Sequence, residues 1–144
     1  MADKSKELAN LARIGKLSAE PGTAGEIKGL LTSGSERLTD ARNEGLALSS
    51  RFDLAYNAAH AFSLAALRWH GYRSDSRYLV FQALQHTLEL PPAVWRILDK
   101  AHKVRNVAEY EGHLDADMIL LQNLIGAAEA VRAAVAALPI LPAK

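Results

Sequence analysis

The stretch Arg51-Phe-Asp-Leu-Ala-Tyr-Asn-Ala-Ala-His-Ala-Phe-Ser-Leu-Ala-Ala-Leu-Arg-Trp-His70 decides the fold. Placed on a helix, Phe52, Leu54, Ala55, Tyr56, Phe62, Leu64, Leu67 and Trp69 point in almost every direction. A helix that is apolar all round must be surrounded by other elements. Ala58, Ala59, Ala61, Ala65 and Ala66 carry little bulk and let those neighbours approach closely. The stretch is therefore the expected spine of a helical bundle, opened near Ser49-Ser50. His60, mid-helix among alanines, reads as a hydrogen-bonded core histidine. His70, beside Gly71 at the helix end, can meet last-turn carbonyls, and its cation would suit the dipole.

Upstream, Leu8, Leu11, Ala12, Ile14 and Leu17 give residues 3–17 an apolar stripe, and Glu20-Pro-Gly-Thr-Ala-Gly25 ends that helix. Thr23 and Glu26 fit a capping box for a second helix. Gly25, Gly29 and Gly34 each weaken its first half by about 1 kcal/mol relative to alanine, so an irregular start is expected, firming from Ser35 to Leu48. Downstream, Gly71–Ser76 is a turn in which Ser74 or Asp75 can cap a helix 76–88, buried through Leu79, Val80, Ala83, Leu84, Thr87 and Leu88. Pro91-Pro92 breaks the chain and starts another helix. Leu114-Asp-Ala-Asp117 caps the last one, over 116–138, which Pro139 and Pro142 stop. No alternating run marks a strand, and no glycine-rich loop follows one to cradle phosphates. The expectation is an all-α bundle of five or six helices, a single domain over 1–144.

Hydrophobic residues make up 49% of the 144 and charged residues 23%, the proportions of a folded globular chain. Cysteine is absent, which excludes disulfides, thiolate metal sites and a cysteine nucleophile. The five histidines lack metal-ligand spacing, so neither a metal nor another cofactor is expected. The mixed-charge N-terminus is unlike a secretory signal, and a cytoplasmic location with no membrane attachment is expected. Seventeen basic and 16 acidic residues leave a net charge of +1, too small a field to capture a polyanion from a distance. Between Arg51 and His113 eight Lys and Arg face six acids, which reads as ordinary solvated helix faces before it reads as a nucleic-acid patch.

Function is expected on the helix Val94–Leu114. Val94, Ile97, Leu98, Ala101, Val104 and Ala108 form its core face. Arg105 falls inside the edge of that arc, followed round the helix by Glu109, His102, Asn106 and Asp99. A permanent cation at such a boundary needs a partner carboxylate, a wet cleft or an anionic ligand. An Arg105–Glu109 pair at i, i+4 is the structural alternative to a functional site.

Arg105-Asn106 and its polar stripe, together with Ser35-Glu-Arg-Leu-Thr-Asp-Ala-Arg-Asn43, Arg51–His60 and Gly71-Tyr-Arg73, resemble HEPN domains over roughly residues 30–138, leaving 1–29 as an N-terminal helical extension. The resemblance implies a homodimer with paired signature helices. It also implies either an RNA-, nucleotide- or protein-binding component of a toxin–antitoxin or nucleotidyltransferase-associated system, or a metal-independent ribonuclease. In the ribonuclease, Arg105 would hold the phosphate and His113 would move the proton, with His102 the other histidine in reach. Asn106, Glu109, Tyr110 and His102 would line the binding surface. Seven residues separate Arg105 from His113, and Tyr110 stands where the family often has histidine, so a binding module is the expectation and catalysis the alternative.

Overall fold

A computed structural model describes residues 2–142; Met1, Ala143 and Lys144 of the expected domain lie outside the described residues. The chain is an all-α bundle. Its elements are α1 (Ala2–Arg13), β1 (Ser18–Ala19), α2 (Ala24–Ala41), α3 (Leu48–Trp69), β2 (Tyr72–Arg73), α4 (Arg77–Gln82), α5 (Leu84–Thr87), α6 (Pro92–Glu111) and α7 (Met118–Ala136). α4 and α5 are two halves of the single helix expected over 76–88, broken at Ala83, whose carbonyl accepts from His86 N and Thr87 N.

α3 is the spine: α2 and α7 run against it, and α4, α5 and α6 cover other parts of its surface. Phe52, Ala55, Tyr56, Ala58, Ala59, Phe62, Ala65 and Ala66 are fully buried. Gly34 of α2 allows a close crossing with α3, since a Cβ there would lie 2.5 Å from Phe62 Cε1. The glycines of α2 do not make its start irregular. Thr23 Oγ1 accepts from Glu26 N at 3.2 Å, and Gly25 and Gly29 face open space, so the helix is continuous from Ala24. It ends at Ala41 instead of running to Leu48, because Asn43 Oδ1 accepts from Gly45 N and turns the chain. Ser76, not Ser74 or Asp75, caps α4, and Asp117 caps α7 as expected.

α1 is shorter than expected. It stops at Arg13, Gly15 takes a left-handed turn (φ 83°), and Leu17 folds back into a second apolar cluster with Leu8, Leu67, Val80 and Ala83. Beyond it lies a feature absent from the sequence expectation, an antiparallel two-residue ladder pairing Ser18 with Arg73 and Ala19 with Tyr72. The boundary near residue 29 falls inside α2, so the N-terminal segment and the rest share one packed structure.

Two arginines read as part of solvated faces are buried in α3. Arg68 is only 2% exposed, and every arm of its guanidinium is used: Nε and Nη2 donate to Glu26, Nη1 to the carbonyls of Glu20 and Tyr72, and Nη2 also to Pro21 O and Glu20 Oε2, all within 2.8–3.2 Å. Arg51 donates from Nε to Ala41 O at 2.8 Å, satisfying a carbonyl at the end of α2. α7 is long and apolar enough to cross a membrane by composition, but Leu121, Leu124, Ala128, Val131 and Val135 on it are core residues.

Candidate functional site

α6 starts at Pro92, whose missing N–H costs nothing at a helix start, and stops at Gly112 in the left-handed conformation (φ 79°). Leu98 and Ala101 bury its inner face. One turn further along, Arg105 emerges at the seam between α6 and α3 with its side chain 29% exposed. Its Nη1 donates to Glu109 Oε2 at 2.9 Å and its Nε to Asp53 Oδ1 on α3 at 3.3 Å. The guanidinium carbon lies 4.9 Å from the centre of the Tyr56 ring. The charge of Arg105 is thus answered by two carboxylates and an aromatic face.

Tyr56 joins this ion pair to the rest of the cluster. Its hydroxyl is hydrogen-bonded to His102 Nδ1 at 2.9 Å, and His102 Nε2 to the Asn106 side-chain amide at 3.1 Å. Arg77 of α4 sits 5.4 Å from the Tyr56 ring centre and donates to Asn57 Oδ1 at 2.9 Å. Burial raises the Tyr56 pKa above the ordinary phenol value, with the neighbouring arginines opposing. Burial lowers that of His102; Asp99 opposes, and Arg105, Arg77 and Lys103 add to the lowering. His60 packs edge-to-face on Phe81, and burial, helped by the charges of Arg77 and His102, takes it down to about 4. The expected hydrogen-bonded core histidine is therefore a half-buried, neutral ring whose contact is aromatic. His70 does tie elements together: its Nε2 bonds the Thr87 carbonyl at 2.9 Å and joins the end of α3 to α5.

Of the residues singled out in sequence, Arg105, Glu109 and His113 come together. They line a cleft of about 330 Å³ with Ser49, Phe52 and Asp53. His102 and Asn106 lie one turn back in the Tyr56 network. Tyr110 is separated from both, 91% exposed on the outer side of α6. His113 follows the left-handed Gly112 and is exposed on the cleft rim. Asp53, Tyr56, Asn57 and Arg77 were missed. The first three form a polar step on one side of a largely apolar helix, at i, i+3 and i+4, and that step was the available signal.

Chemically, the cleft presents Asp53 and Glu109 beside its one arginine, so a phosphate at Arg105 would sit next to two carboxylates that repel it. Among the described residues no group of three or more His, Asp or Glu is placed to hold a metal ion. Comparison with protein-family models, with curated proteins and with solved structures finds no match to this chain.

Proposed function

We propose that the chain is a non-catalytic, cytoplasmic, HEPN-like binding module. It works as a homodimer joined through the outer face of α6, and its partner is a protein of the minimal nucleotidyltransferase class. The carrying observation is the pairing of Arg105 with both Asp53 and Glu109. Two of its three guanidinium nitrogens are already taken by carboxylates, which compete with an RNA phosphate for the same charge.

The outer face of α6 supports the dimer. Arg96, Lys100 and Lys103 lie along its first half, and Val107, Tyr110 and Glu111 along its second, all exposed. Two such helices packed antiparallel about a twofold axis set Arg96 and Lys100 of each copy against the aromatic and acidic half of the other, a self-complementary contact. Light scattering at tens of micromolar should give twice the 15.6 kDa chain mass, and Val107→Asp with Tyr110→Asp should return it to one. A wild type that is monomeric at that concentration sinks the dimer.

One observation favours a second reading: His113 and Arg105 share a cleft. Incubation of RNA with the protein in EDTA separates the two. The binding module leaves RNA intact, and cleavage that disappears in a folded Arg105→Ala variant would replace our reading with the ribonuclease.

A further inference from the structure

A second cavity, away from α6, has the opposite character. It is about 280 Å³ in volume and lies between the start of α2, the end of α3 and the end of α7, with the segment after α7 as its outer wall. Ile27, Leu31, Trp69, Val135, Leu138 and Leu141 give it an apolar lining. The indole N–H of Trp69 is already committed to the Pro139 carbonyl at 2.8 Å, the hydrogen bond that holds the wall segment in place. Lys28 is the single charged residue of the lining, and it makes no ion pair among the described residues.

Such a space suits water poorly. An ordered water needs two to four polar partners, and this apolar lining, though open to solvent on one side, offers few. At ~30 Å³ for each water-sized group, this one has room for about nine. An occupant that suits it is apolar along its body, small, and negative at the end that meets Lys28, which lies exposed at the rim.

We propose that this cavity is a binding site for a small apolar carboxylate of about eight to ten heavy atoms, its hydrocarbon body against Trp69 and its carboxylate on the Lys28 ammonium. The segment after α7 takes part in recognition, because Leu138 to Leu141 form the wall against the ligand's body. The site stands independently of the α6 reading, since none of its residues lies on α6.

The test uses Trp69 as its own reporter in a Trp95→Phe background. Octanoate, phenylacetate, 1-octanol and octylammonium are titrated separately while indole emission is followed. Octanoate should give a saturable change near the millimolar range and bind more tightly than octylammonium, with phenylacetate deciding between an aliphatic and an aromatic body. Lys28→Met should weaken octanoate by roughly threefold to fivefold, the worth of a partly solvated ion pair, and leave octanol unchanged. Ala136→Phe, at an exposed position on the rim, should fill the space and remove both without touching the core. The proposal is overturned if neither carboxylate saturates, if octylammonium binds as well as octanoate, or if Lys28→Met leaves octanoate unaffected.

Discussion

Arg68 and Arg105 are each paired with two carboxylates, and they do different work because one is buried and the other is not. Arg68 is 2% exposed and spends its donors on three backbone carbonyls as well as Glu20 and Glu26. It fastens the segment before α2 onto the end of α3, with Arg73 adding a second, exposed bridge to Glu20. Arg105 is 29% exposed, its carboxylates more so, and it donates to no backbone carbonyl among the described residues. Around a buried guanidinium the loss of the cation strands the carbonyls and carboxylates packed on it, whereas at the more open Arg105 seam water replaces it. Carboxylate pairing alone therefore does not separate a structural arginine from a surface one; burial and carbonyl contacts do.

The largest expected effect tests the buried member. Arg68→Ala should destabilise the fold by about 3–5 kcal/mol, read from the urea midpoint. Arg68→Lys should recover little, since one ammonium cannot span the planar fan of acceptors. A cost below ~1 kcal/mol for Arg68→Ala would mean that water reaches this site and that the contrast with Arg105 is false.

Acid should separate the two regions next. His60, close to the Arg105 cluster, has a folded pKa of about 4 against an ordinary 6.5, so the unfolded chain takes up the proton first. Its contribution is complete above pH 6.5 and is lost as pH falls towards 4, amounting to about 2–3 kcal/mol once its partial exposure is allowed for. His102, also lowered, adds in the same direction. Glu26 behaves otherwise. The hydrogen bond from Arg68 holds its carboxyl below 4.5, so its contribution is kept above that value and fails only in stronger acid. Urea titrations across this range should show a stability slope that His60→Leu flattens. A slope unchanged in that variant would remove His60 from the account.

Gly22 offers a smaller test of the Arg68 site. A Cβ there would lie 2.4 Å from the Arg68 carbonyl oxygen, backbone against backbone, so Gly22→Ala must push the segment off α3. We expect roughly 1–3 kcal/mol of destabilisation by thermal denaturation, and no change would show that the segment docks loosely.

The smallest effect is expected at Arg105. Arg105→Ala should cost about 0.5–1 kcal/mol, a fall in Tm of roughly 2–4 °C, with the solution mass the same as that of the wild type because the side chain faces the seam and not the outer face of α6. A loss as large as that of Arg68→Ala would erase the difference between the two sites.

Much of the candidate site could be read from sequence where it is local. The position of Arg105 at the edge of the α6 core face follows from helical spacing, and so does the availability of Glu109 at i+4. Asp53, Tyr56 and Arg77 come from other helices, and no spacing rule within α6 finds them. Arg68 was hidden for the same reason: within α3 it is one more charge near a helix end. Only the backbone of Glu20, Pro21 and Tyr72, brought up by the Ser18–Arg73 ladder, turns it into a buried residue.

The sequence by itself determined that the chain is helical, that α3 is its spine, and where most of the helices begin, because periodicity, caps and proline act over a few residues. Tertiary structure alone decided which charges are buried, that α2 tolerates its glycines, that the helix after Ser76 breaks at Ala83, and that a two-residue ladder closes the N-terminal segment. Those outcomes depend on which surfaces meet, and the free energy of a buried arginine or a closely crossed helix is set by atoms distant in the chain.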